Sequence, residues 1–246
     1  MFFTETISLS TLICDEDDRL TLWGLARLFQ DAAEDHSKTY GVGYHGLIVQ
    51  HRAWILTRVY YSITRLPVAG ETLTIRTWPK PDNGLIAPRD SQLIDADGKV
   101  CAACASNWVI LNMDTRRVSR LGDIISPFEK ETENATTVVK FDKMQIGENL
   151  PLIKHIDVPY SAIDHTRHVN NAEYMKWICD AVPQICKPRT DASRREIAAF
   201  DINYVKETKH NDPDVNLYGK SLNDNTLQFR LTNTHGLSIQ AQLTLK

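Results

Sequence analysis

Apolar residues along the chain follow two periods in turn. From Leu20 to His36, LTLWGLARLFQDAAEDH sets Leu22, Leu25, Phe29, Ala32 and Ala33 at helical spacing, the mark of one buried helix face. Tyr40-Gly41 supplies a stop, because glycine readily takes the left-handed conformation that ends a helix. The period then drops to two. AWILTRVYYSI, ETLTIRTW and DSQLIDADGKVCAACASNWVIL read as strands, and Asp97-Gly98 folds the last of them into a hairpin.

The second half plays the same order. A helix is expected from about Ala172, with Tyr174, Ile178, Ala181, Val182 and Ile185 on one face and Pro183 kinking or ending it. IAAFDINYVKE, DVNLYGKSL and LQFRLTNTHGLSIQAQLTLK follow as strands, with His235-Gly236 in the place of Asp97-Gly98. Between the halves, residues 124–152 are polar and irregular, including EKETENATT, and read as a linker. The expected division is an N-terminal repeat over 1–123, that linker, and a C-terminal repeat over 153–246. A helix apolar over much of its surface needs sheet wrapped around it. The expected class is α+β, a tandem (double) hotdog, each repeat a long helix wrapped by an antiparallel sheet.

Composition narrows the function. The 246 residues carry a net charge of -3, which argues against nucleic-acid binding. The start, MFFTETISLS, lacks a basic region and a long apolar run, so it does not read as a secretory signal. No stretch approaches the roughly 20 apolar residues of a membrane span, and the cytoplasm is the expected location. Five cysteines, an odd number, do not read as a disulfide framework. Cys101 and Cys104 form a CxxC, but in a strand residues three apart point to opposite faces, so both read as buried core.

The chemistry gathers in Asp164–Tyr174, DHTRHVNNAEY. An acid, two histidines, a threonine and two asparagines stand just before the second helix. Spare N–H groups and the positive end of the macrodipole collect there, which suits acid–base work on a carbonyl. Asn170 and Asn171 can cap the helix, and Asn170 with Glu173 has capping-box spacing. His165 and Arg167 read as surface residues. No third ligand joins Asp164 and His168 at a spacing that would hold a metal.

With motif and repeat together, the chain resembles the acyl-ACP thioesterases of plants and bacteria over nearly its whole length. The matching segments are DAAEDHSKTYG, WILTRVYYSITRLP, GETLTIRTW, SNWVILNMDTRRVSRL, DHTRHVNNAEYMKWI and INYVKET. The resemblance implies a bacterial-type enzyme, without the plant transit peptide, that hydrolyses fatty acyl-ACP to free fatty acid and needs no cofactor. It carries the catalytic positions onto Asp164, His168 and Glu207. Thr166 joins that set where plant members have asparagine, and Thr208 stands where many have cysteine. A cysteine nucleophile has no place here, since neither Cys179 nor Cys186 falls at the position. Asp164 would orient the substrate or polarise a neighbour, and His168 and Glu207, the latter reaching in from its strand, would activate water, the alternative being direct attack by a carboxylate to form an anhydride. Backbone N–H groups at Val169 to Asn171, with Asn170 and Asn171, would hold the oxyanion.

By elimination, the first repeat supplies much of the acyl pocket, as it keeps the helix and sheet without a matching Asp/His cluster. The implied partner, acyl carrier protein, is acidic, so Arg116, Arg117 and Arg120 are docking candidates, with Lys80 and Arg89 near an expected loop. Two rivals remain: an acyl-CoA thioesterase on the same fold, and a hotdog protein that binds acyl groups without cleaving them. Homo-oligomerisation stays open, because two repeats can satisfy each other within one chain.

Overall fold

A computed structural model describes residues 2–138, 140–186 and 196–246. Val139, in the expected linker, and residues 187–195, in the expected second repeat, lie outside the described residues. The chain divides into two compact units, Met1–Lys140 and Phe141–Lys246.

The N-terminal unit runs β1 (Phe3–Ser8), α1 (Leu22–Thr39), α2 (Tyr44–Ile48), β2 (Arg52–Ile63), β3 (Thr72–Pro79), β4 (Ala87–Ile94), β5 (Val100–Asn112) and β6 (Arg117–Ser119). Its antiparallel strands lie in the order β1-β3-β4-β5-β2, with β6 on β5. All five apolar positions expected to face inward on α1 are buried. Thr21 caps the helix, its hydroxyl accepting from Gly24 N–H at 3.0 Å. Gly24 allows a close approach: a Cβ there would sit 2.7 Å from the Ile13 carbonyl oxygen. The β4–β5 turn forms at Asp95–Gly98, where Asp95 Oδ1 accepts from Asp97 and Lys99 and Gly98 takes φ 80°. Cys101 and Cys104 are both buried in β5, one beside Asp95 and the other beside Ser91.

The C-terminal unit runs β7 (Leu152–His155), α3 (Asn171–Ile185), β8 (Ile197–Tyr204), β9 (Asn216–Asn223), β10 (Thr226–Asn233) and β11 (Gly236–Leu245). Its strand order, β7-β9-β10-β11-β8, repeats that of β1-β3-β4-β5-β2. Tyr174, Ile178 and Ala181 of α3 are buried, while Val182 and Ile185 are half-buried. Pro183 does not break the helix. It lies in the last turn, and the helix ends two residues later.

The segment expected as a linker carries buried residues at both ends. Ile124, Ile125 and Phe128 pack with Val42, Leu47 and Ile110 of the first unit. Ile146 and Leu150 are buried, and the Ile146 carbonyl accepts from Gln240 of the second unit. Pattern reading missed β1 and β7. β1 is mostly exposed and β7 only four residues long, so neither shows a clear period. No helix among the described residues is long and apolar enough to cross a membrane.

Candidate functional site

The site belongs to the loop that feeds α3. A short 3-10 turn, Tyr160–Ala162, precedes it, and a bridge between Ile163 and Val169 pins its base. Within that base Asp164 N–H donates to the His168 carbonyl at 3.0 Å, and Arg167 N–H to the Asp164 carbonyl at 2.9 Å. Arg167 takes φ 66°, the left-handed step that closes the loop. Asp164 Oδ1 accepts from the Thr166 N–H at 2.8 Å and hydroxyl at 2.5 Å, an Asx turn. Asp164 Oδ2 accepts from the Asn170 amide at 3.3 Å. The acid therefore holds its own loop, and the Thr166 hydroxyl is committed to it.

The loop delivers His168 to Glu207. His168 Nε2 lies 2.8 Å from Glu207 Oε2, both side chains partly shielded from solvent. Glu207 is not on a strand, contrary to the expected reach from one. β8 stops at Tyr204 because Val205 and Lys206 both direct their N–H groups to the Ser238 carbonyl, at 2.8 and 3.2 Å, and the chain turns. Asn233 then holds the segment, its amide donating to the Glu207 carbonyl at 3.1 Å. Thr208, fully buried, donates its hydroxyl to Ser238 Oγ at 3.1 Å. Its carbonyl accepts from Val169 N–H at 2.8 Å, which ties the Glu207 segment to the histidine loop. Tyr174 meets Thr208 from the helix, its phenol pushed up to about 12 mainly by burial. Sequence reasoning missed Asn233, Ser238 and Tyr174, because their part depends on where the chain turns.

The helix entry is narrower than expected. Asn170 is the cap, its Oδ1 accepting from Ala172 N–H at 2.9 Å. The capping box does not form: Asn170 N–H donates to the Ala162 carbonyl, so no donor is left for Glu173 to bond back to. Of the three N–H groups expected to face an oxyanion, Val169 and Asn170 are thus occupied. Asn171 N–H, the first donor of α3, is the one without a protein acceptor among the described residues. The Asn171 carbonyl accepts from the Tyr204 hydroxyl at 3.0 Å, fixing that first turn.

The other candidates separate. Arg116, Arg117 and Arg120 are exposed on and beside the β5–β6 hairpin, Arg116 at its turn with φ 56°. Arg89 lies near the expected loop but inside β4, which starts at Ala87, and at 7% exposed it is too buried to dock a carrier. Lys80 pairs with the buried Asp90 at 3.5 Å. His165 and Arg167 are exposed. Among the described residues no group of three or more His, Cys, Asp or Glu is arranged to hold a metal ion.

What this arrangement offers is a shielded imidazole–carboxylate pair next to a helix N-terminus with one N–H to give. Residues 2–128 match the acyl-ACP thioesterase N-terminal domain, and residues 147–243 match the C-terminal domain. Chloroplastic oleoyl-acyl carrier protein thioesterase 2 of Arabidopsis thaliana is 25% identical over 234 residues, 88% of this chain and 62% of the plant protein. A palmitoyl-acyl carrier protein thioesterase of Gossypium hirsutum is 23% identical over 84% of this chain and 52% of its own length. The chain thus spans between half and two thirds of these relatives. An acyl-ACP thioesterase structure from Bacteroides thetaiotaomicron superposes with TM-score 0.87 at 21% identity, covering 100% of this chain and 98% of that one. The 12:0-ACP thioesterase of Umbellularia californica superposes with TM-score 0.84 at 20% identity, covering 100% and 97%. The shared architecture is the double hotdog, and the chain belongs to the acyl-ACP thioesterase family.

Proposed function

We propose that the protein hydrolyses fatty acyl thioesters carried on acyl carrier protein, releasing free fatty acid, and that it works in the cytoplasm. The observation that carries this reading is the 2.8 Å contact between His168 Nε2 and Glu207 Oε2. An ionised glutamate there fixes the proton on Nε2 and leaves Nδ1 as the acceptor. Nδ1 meets no protein group among the described residues. In this reading His168 is the general base that takes a proton from water, Glu207 orients it and steadies the imidazolium, and Asn171 N–H receives the oxyanion. Asp164, with Thr166 and Asn170, holds the loop that sets the histidine's position. The thiolate of the carrier leaves as the tetrahedral intermediate collapses, and the proton held by His168 neutralises it.

The N-terminal unit is proposed to contribute the acyl pocket. A cavity there is lined by Ala33, Trp54, Ala87, Trp108, Ile125 and Phe128 together with Glu34, Lys80, Arg89 and Lys130, and its apolar part suits an aliphatic chain. Arg116, Arg117 and Arg120 form the proposed docking patch for the acidic carrier. Five cysteines, an odd number, do not read as a disulfide framework, which fits a reducing compartment.

The test is to assay one acyl chain on acyl carrier protein and on CoA in parallel, with the wild type and with Arg116→Glu/Arg117→Glu. The expected result is a preference for the carrier-protein substrate that falls in the double variant and steepens at low salt. A preference for CoA, indifferent to the charge reversal, would assign the protein to acyl-CoA. Absence of thiol release from both substrates would end the hydrolase reading.

A further inference from the structure

The N-terminal unit buries a cation without a counterion. Arg89 on β4 is 7% exposed. Its Nη1 lies 3.1 Å from His36 Nδ1 and 3.1 Å from Thr77 Oγ1, and its guanidinium carbon is 5.9 Å from the Phe128 ring centroid. None of these groups is acidic, and no carboxylate among the described residues pairs with it. His36 cannot add or remove charge at neutral pH: burial first, then Arg89, pulls it down to about 4. Arginine only donates, so Nδ1 of this neutral ring accepts and Nε2 carries its proton. Burial pulls Arg89 down as well, to about 10, which leaves it charged at pH 7.

Arg89 lines the cavity walled by Trp54, Trp108 and Phe128. The other charged groups on that wall are already matched. Lys80 pairs with Asp90 at 3.5 Å and Lys130 with Asp82 at 2.5 Å. Both Glu34 oxygens face Tyr44 N–H, at 2.9 and 3.2 Å. Among the described residues Arg89 is the one cation on that wall without a carboxylate partner, and a buried charge is costly unless something pairs with it. Water or a fully aliphatic chain cannot supply that pair. A carboxylate can, through the charge-assisted contacts that guanidinium geometry favours.

We infer that this cavity binds the carboxylate of an aliphatic acid, with Arg89 as its counterion and the chain against Trp54, Trp108 and Phe128. Two sources share this chemistry: a free fatty acid, and the far end of a dicarboxylic acyl chain. The inference extends the proposed acyl pocket, but it is read by binding alone and stands or falls without turnover.

The experiment is calorimetric titration of the whole protein with decanoate and with decan-1-ol. Decanoate should bind at least about tenfold more tightly, the weight of one charge-assisted contact, and Arg89→Gln should erase the difference. A third arm compares decanoyl-CoA with the CoA monothioester of decanedioic acid, in Glu207→Ala so that hydrolysis is slowed during the titration. Tighter binding of the second assigns the acid to a substrate's far end, whereas a preference confined to decanoate assigns it to the free acid. Should Arg89→Gln fail to fold, Ala33→Leu narrows the same cavity and must weaken decanoate. Equal affinity of the wild type for acid and alcohol, or an acid preference that survives in folded Arg89→Gln, would overturn the inference.

Discussion

Between Thr11 and Leu22 the N-terminal unit builds, with the same main-chain bonds, the loop that the C-terminal unit builds between Tyr160 and Asn171. A 3-10 turn leads in at Thr11–Ile13 and at Tyr160–Ala162, and bridges Cys14–Leu20 and Ile163–Val169 pin the bases. Asp15 N–H donates to the Arg19 carbonyl at 2.8 Å, as Asp164 does to His168 at 3.0 Å. Asp15 Oδ1 accepts from Asp17 N–H where Asp164 Oδ1 accepts from Thr166 N–H. Asp18 and Arg167 both take the left-handed step, φ 58° and 66°. Thr21 and Asn170 cap the helices that follow. The Glu207 segment has its counterpart too, since Thr64 and Arg65 share the Cys101 carbonyl as Val205 and Lys206 share that of Ser238.

On this common backbone His168 corresponds to Arg19 and Glu207 to Leu66. The aspartate therefore belongs to the loop, present whether or not chemistry follows, while the histidine and glutamate belong to the C-terminal unit alone. That distinction supports the proposed roles, Asp164 in positioning and His168 with Glu207 in proton transfer.

The largest expected effect tests the asymmetry directly. Glu207→Gln and His168→Ala should each lower kcat/KM for acyl thioester hydrolysis by about 10²- to 10⁴-fold, the weight of general-base catalysis. Leu66→Ala and Arg19→Ala, at the matching places, should leave it near the wild-type rate. Steady-state kinetics on the four purified variants, with Tm as the folding control, reads this out. A comparable loss at Leu66 would break the comparison, because the N-terminal loop would then share in the chemistry.

How far the sequence foretold this divides along physical lines. The face of α1 was legible from Leu22, Leu25 and Phe29, since burial imposes a period. The turns at Asp97-Gly98 and His235-Gly236 were legible because positive φ selects glycine. The loop repeat was not legible: DEDDRL and DHTRHV share little beyond the first aspartate, and what they have in common is backbone bonding. A matching acid at Asp15 was accordingly overlooked. Alternation in INYVKET ran on past Tyr204 and put Glu207 on a strand, since two N–H groups sharing one carbonyl leave no trace in side-chain pattern. Arg89, near the expected loop, read as a docking candidate for a similar reason: its burial depends on what folds over β4, not on its neighbours in sequence.

A second prediction sharpens the role of the aspartates. Asp15→Ala and Asp164→Ala each release loop N–H groups from an acceptor and should each cost about 0.5 to 1.5 kcal/mol of stability. Only Asp164→Ala should also reduce hydrolysis. Asp164→Asn keeps an amide oxygen for Thr166 N–H but drops the charge, and should stay within about tenfold of wild type, near 1.4 kcal/mol in barrier. Paired thermal melts and kinetics separate the two effects. Should Asp164→Asn be as inactive as Asp164→Ala while Tm holds, the charge itself is required and Asp164 moves from positioning into the catalytic group.

The smallest effects come from the caps, which differ in the N–H they accept from and in what the cap also touches. The Thr21 hydroxyl accepts from Gly24 N–H and donates to the Ile13 carbonyl at 2.8 Å. The Asn170 side chain accepts from Ala172 N–H and donates to Asp164 Oδ2. Replacing either by alanine removes one capping bond and should cost about 1 kcal/mol, a fall in Tm of about 2 to 4 °C for a chain of this size. Thr21→Ala should leave hydrolysis unchanged, because its second contact closes a loop without a histidine. Asn170→Ala also releases Asp164 Oδ2 and frays the turn that presents Asn171 N–H, so the same stability loss should bring a fall in kcat with KM little altered. Equal activity in the two variants would mean that the cap holds the helix alone, and that Thr166 suffices to fix Asp164.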